Sequence, residues 1–126
     1  MLNGDPELID AELNRLSMMT RDQRFEELAS LYAKDSLDAL PNIAAYVRQA
    51  KARYDDIRRE FRTHICEDQT IKGFCTNERS KSLRQAGLAV VDLLAPSIGL
   101  HPACVITSQL LEEGLWALCS DSWQTD

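Results

Sequence analysis

"NIAAYVRQAKARYDDIRREFRTHIC", Asn42 to Cys66, decides the fold. Its apolar side chains fall at Ile43, Val47, Ala50, Tyr54, Ile57 and Phe61, in alternating steps of four and three. Such spacing places them along one face of an α-helix and leaves the charged residues on the remainder. Taken over about 41–66, the segment is a rod of roughly 39 Å at about 1.5 Å per residue. Its heptad rhythm is shorter than a free-standing coiled coil needs, so the stripe predicts packing on other helices of the same chain, with a second copy as the alternative partner. Tyr54 and Phe61 are large for a narrow seam and favour a wide buried surface. Off the stripe, Lys51 with Asp55 and Asp55 with Arg59 have the spacing of weak ion pairs on a solvated face.

Helical spacing continues on both sides. "DPELIDAELNRLSMM" offers Asp5 as N-cap and Pro6 at the first helical position, with Ile9, Leu13 and Leu16 on one face. "TRDQRFEELASLYAKD" repeats the pattern with Thr20 as cap and Phe25, Leu28, Leu31 and Tyr32 as its apolar side, before a turn at Leu40-Pro41. "EDQTIKGF" interrupts the periodicity, and Gly73 is the expected turning point. The next helix starts behind Thr76 or Asn77, carries Leu83, Gly87, Val90 and Leu94 on its stripe, and is expected to end at Pro96. Gly87 costs roughly 1 kcal/mol against alanine inside a helix, so its best structural use is the close approach of a neighbouring helix.

A last helix is expected from Pro102 to about Cys119, with Trp123 in a short tail and both Trp116 and Trp123 as packing residues. From Leu93 to Leu111 there is no acid, lysine or arginine, a length that would span a bilayer. Pro96, Gly99 and Pro102 break this run, and Ser97, His101, Thr107, Ser108 and Gln109 are costly in lipid, so a helical hairpin is predicted instead of a membrane span. In the last helix Ile106 and Leu110 lie to one side while Cys104, Leu111, Leu115 and Leu118 occupy another. A helix apolar on two sides is either the centre of the bundle or a subunit interface.

A chain of 126 residues suits one domain. Its formal charge of −6 is unevenly laid out: residues 1–40 and 86–126 are acidic, and the stretch between them is basic. The basic middle either packs on its acidic neighbours or presents a face to a partner. Acidic flanks weigh against nucleic-acid binding, although Arg48, Lys51, Arg53, Arg58, Arg59 and Arg62, with Tyr54 and Phe61 among them, form a basic helix face. "MLNGDPELID" lacks the charged start and apolar run of a secretory signal, which predicts a cytoplasmic protein with its cysteines reduced.

The candidate chemistry is sparse. If the last two helices descend and return by nearly the same distance, Cys119 comes back to the level of Cys66 and Cys75. His64, Cys66, Cys75 and Cys119 then gather at one end, a set whose thiolates and imidazole would suit zinc, whose thiols would otherwise stay buried, or among which a disulfide would form. Cys104 falls at the opposite end. Asp92, in "LAVVDLLAP", either faces water or pairs with Arg53 or Arg58, and His101 lies in the turn or near the open amides of a helix start. No phosphate loop, nucleophile elbow or H-E-x-x-H pattern occurs.

The resulting expectation is an all-α, antiparallel bundle of about five helices, with the long helix at its centre and an apolar C-terminal hairpin. The function expected is a non-enzymatic interaction or regulatory module, self-associating as a homodimer through Ile43, Val47, Tyr54, Ile57, Phe61, Leu111 and Leu115. The alternatives are a small-ligand or zinc-binding helical protein and, less favoured, nucleic-acid binding through the basic face. No cofactor is required, zinc being the one candidate.

Overall fold

The structure, a computed structural model, describes residues 5–33, 43–76 and 82–123. Seven α-helices and no strand occur among them: α1 Pro6–Ser17, α2 Arg21–Ala33, α3 Ile43–Glu67, α4 Gln69–Thr76, α5 Leu83–Ile98, α6 Leu100–Glu113 and α7 Leu115–Trp123. The turn expected at Leu40-Pro41 and the side chains of Tyr32 and Ile43 lie outside the described residues.

Local chemistry sets the helix starts. The Asp5 carboxylate accepts from the Glu7 N–H at 2.9 Å ahead of Pro6. Thr20 and Gln23 form a reciprocal capping box, each backbone N–H donating to the other's side chain. Asp68 accepts from the Ile71 N–H and Ser82 from the Gln85 N–H, and these two caps start α4 and α5.

Two helices exceed expectation. Gly73 lies inside α4 and not at a turn, because the Asp68 cap and the buried pair Ile71 and Cys75, four residues apart, stabilise a short helix there. The last helix is divided at Gly114, whose φ of 99° favours glycine and whose N–H closes α6 on the Leu110 carbonyl. Gly99, at φ 92°, separates α5 from α6 in the same way, so α5 continues past Pro96 to Ile98. Pro96 is tolerated because it is exposed, as is Asp92 one turn earlier, whose carbonyl loses its partner on the solvent side.

The core runs through every helix. Ile9, Leu13 and Leu16 of α1, Phe25, Leu28 and Ala29 of α2, and Ala50, Tyr54, Ile57, Ile65 and Cys66 of α3 all join one core, with α1 packed on α5 and α6 and α2 on α3 and α6. Each large aliphatic side chain buried in this way is worth about 1.5–3 kcal/mol. The expected hairpin is the α5–α6 pair.

The centre, however, belongs to α6 and not to the long helix. Every residue from Ala103 to Leu110 is buried, and α6 packs on α1, α2, α5 and α7. The long α3 buries a single stripe against α2 and α7, with its charged residues outward. A helix apolar on two sides takes the centre ahead of a longer one apolar on one.

Gly87 of α5 sits where α1 and α6 converge. A Cβ there would lie 3.0 Å from a Leu111 methyl and 3.2 Å from a Leu13 methyl. Gly87→Val is expected to lower the unfolding free energy, read from urea titration, by about 1–3 kcal/mol through overpacking. Gly87→Ala should stay within about 1 kcal/mol of the parent, its helix-propensity gain offsetting the displaced methyls. A stabilised valine variant would contradict this packing.

Candidate functional site

Among the described residues, polar or reactive groups gather at a buried axis and at the C-terminal end. The first is a buried axis across α1, α2, α3 and α6. Arg24, only 2% exposed, lies one turn before Leu28 on the buried side of α2. Its Nε donates to the Leu16 carbonyl at 2.9 Å and Nη2 to the Ser17 carbonyl at 3.4 Å, so it closes the C-terminal end of α1. Its Nη1 donates to Gln109 Oε1 at 3.0 Å and pairs with Glu112 at 2.6 Å. Gln109 Nε2 in turn donates to Glu113, which also accepts from the Tyr54 hydroxyl at 2.8 Å. Arg58 Nε approaches the same carboxylate at 3.5 Å, an ion-pair contact longer than a hydrogen bond.

Electrostatics follow from those contacts. The Arg24 guanidinium holds the Glu112 carboxyl below its usual range, and Arg15 does the same for Glu12, chiefly by hydrogen bonding. Burial, then the Glu113 carboxylate, raises the Tyr54 hydroxyl, which therefore stays a neutral donor. Burial pushes the Cys104 thiol up to about 11, leaving it protonated and poorly nucleophilic.

The second constellation is at the C-terminal end. Cys66 and Cys119 are joined in a disulfide, with Cα atoms 5.4 Å apart. Trp123 Nε1 donates to the Cys66 carbonyl at 2.8 Å, and Trp116 Nε1 to the Cys75 carbonyl at 3.2 Å. Both acceptors belong to last turns, of α3 and α4, where helix carbonyls lack intrahelical partners. The two indoles meet edge to face at 5.4 Å. Arg62 adds a hydrogen bond to the Leu118 carbonyl at 3.0 Å and an ion pair with Asp121 at 3.6 Å.

Of the proposed zinc set, the structure brings Cys66 and Cys119 together and bonds them to each other, so neither sulfur is a thiolate. Cys75 is buried on α4 with its carbonyl bonded by Trp116, whereas His64 is exposed with its ring 6.1 Å from that of Phe61. Among the described residues, no group of three His, Cys, Asp or Glu side chains is placed to hold a metal. Within the expected interface, Tyr54, Ile57 and Leu115 are buried in the chain's own core, and Val47, Phe61 and Leu111 pack partly buried against it.

Part of the basic face is answered within the chain: Lys51 pairs with Asp22, Arg58 with Glu113, Arg59 with Asp56 and Arg62 with Asp121. Asp92 faces water beside an open cleft of about 260 Å³ between α1, α4 and α5, walled by Ile9, Phe74, Leu88 and Ala89. That cleft is smaller than the roughly 300–1,000 Å³ of ordinary ligand pockets. His101 is exposed in the first turn of α6. No helix among the described residues is long and apolar enough to cross a membrane. Sequence reasoning missed Arg24 and Gln109; the available signal was a polar residue standing on each buried face.

Arg24→Met removes the donor to Leu16 and Gln109 and should cost about 2–4 kcal/mol in urea unfolding. Glu112→Gln should cost under about 1 kcal/mol, because the Glu112 side chain is 47% exposed. An equal cost for both would contradict the buried axis. Glu112 and Glu12 have folded pKa values below their unfolded ones, so their stabilisation is present above the ordinary carboxylate range, about pH 4.3, and is lost as pH falls through the depressed values. The urea midpoint should therefore drop below about pH 4, and the Glu12→Gln, Glu112→Gln double variant should drop less. Replacing both bonded cysteines by serine opens a link of sequence separation 53, and chain entropy puts the loss at about 4 kcal/mol. No family model matches the chain, and neither does a curated protein or a solved structure.

Proposed function

We propose that the chain is a non-enzymatic helical interaction or regulatory module that associates with a second copy of itself through helix faces. The observation that carries this reading is Trp116. The residue is 43% exposed, yet its orientation is fixed by the bond to the Cys75 carbonyl and by edge contact with Trp123. A tryptophan held rigid at the surface loses little entropy on docking, and such residues dominate contact energies. Leu8 and Leu83 add exposed apolar area, Leu83 at 59%. The α3 stripe serves the chain's own core, which leaves these outer side chains as the contact surface.

The size of the molecule allows it. A contact of standard size covers about 800 Å² per partner, roughly a tenth of the 7760 Å² surface. The polar groups of the buried axis are engaged with one another, which supports a structural rather than catalytic use.

Size-exclusion chromatography with light scattering should report a dimer at micromolar concentration, and Trp116→Ala should shift it to monomer while thermal unfolding remains cooperative. A strict monomer at every concentration would remove the proposal.

A further inference from the structure

We propose that α7 is a redox-gated flap: the Cys66–Cys119 bond locks it onto the ends of α3 and α4, and reduction by a dithiol releases it and uncovers the apolar surfaces between them. The inference stands on the contacts of α7, and because Trp116 belongs to that helix, release would also disturb the proposed self-contact.

Four observations converge. First, α7 has 9 residues, too few for a helix to persist without tertiary support. Second, it joins α6 through Gly114 alone, at a positive φ, which is a hinge that needs no other segment to move. Third, it buries Leu115, Leu118 and Trp123. Fourth, its polar anchors all join it to α3 or α4 within a turn or so of the disulfide: Trp116 and Trp123 donate from α7 to the Cys75 and Cys66 carbonyls, and Arg62 of α3 donates to the Leu118 carbonyl and pairs with Asp121. One covalent bond therefore controls whether a single short element stays docked. The axis through Arg24, Gln109 and Glu113 lies on other helices and does not depend on it.

The chemistry balances without a metal or cofactor. One thiolate of the dithiol attacks a sulfur of the Cys66–Cys119 bond, giving a mixed disulfide and one free cysteine thiolate. The second thiol of the reductant then displaces the other cysteine and closes the reductant's own disulfide. Two electrons and two protons pass to the protein, leaving two thiols. Both cysteines are buried, so a reductant gains access only when the flap tilts. A reducing compartment such as the cytoplasm thus favours the released form and an oxidising one the locked form.

The test compares the oxidised protein with the same protein in excess dithiothreitol, and with the Cys66→Ser, Cys119→Ser variant without reductant. Trp116 and Trp123 are the chain's two tryptophans, so fluorescence reports the flap directly. Both open forms should show emission moved to longer wavelength. Iodoacetamide should alkylate Cys75, which is buried and whose carbonyl accepts from Trp116, about tenfold faster or more than in the oxidised protein. Cys104, buried in α6, should stay protected, read residue by residue from peptide masses. Unchanged emission and Cys75 labelling would overturn the proposal by making the disulfide a plain staple. Simultaneous labelling of Cys104 would overturn it by showing global unfolding. A released flap with no change in mass by light scattering upholds the inference and counts against self-association alone.

Discussion

Burying one helix on all sides is the constraint on which the rest of this structure depends. From Ala103 to Leu110 every residue of α6 is buried, although three of those eight positions are polar. An unmatched amide or hydroxyl there costs kilocalories, so the surrounding helices must supply partners at fixed places. Gln109 is matched on both its ends, by Arg24 from α2 and Glu113 one turn on. Arg24 then fixes α1 through the carbonyls of Leu16 and Ser17, and Glu113 fixes α3 through Tyr54. Thr107 Oγ1 is the exception, buried with no hydrogen-bond partner among the described residues. Apolar burial holds the bundle together, and the polar axis specifies which helix lies where.

The C-terminal end solves a different problem by different means. The last-turn carbonyls of α3 and α4 need donors, and two indole N–H groups supply them while their rings cover apolar surface. A nine-residue helix gains this geometry at the cost of ordering a segment that could not hold its own shape, and the disulfide offsets that cost by closing the chain across α4, α5 and α6. The same economy makes the end of the molecule the part whose docking depends most on a single bond.

Much of this was legible in the sequence. Steps of three and four gave the helices, and Asp5, Thr20 and Gly87 each act as their residue type suggests. Cys119 does return to Cys66, although the single last helix on which the length count rested is two, divided at Gly114. What remained hidden had physical causes. A short helix such as α4 carries too few turns for periodicity to show, and its cap, Asp68, sits in a polar run that reads as a loop. Burial of Arg24 depends on partners 85 positions away, and no local pattern encodes them. The place of α6 at the centre was visible as two apolar faces, but the length of α3 outweighed that sign.

The account rests on α6 as the axis of the fold, and amide hydrogen exchange resolved by residue tests it most directly. Amides from Ala103 to Leu110 should be the slowest in the chain, exchanging only through global unfolding, while those of α3 outside its buried stripe exchange sooner. Faster exchange in α6 than in the middle of α3 would contradict the central position assigned to it.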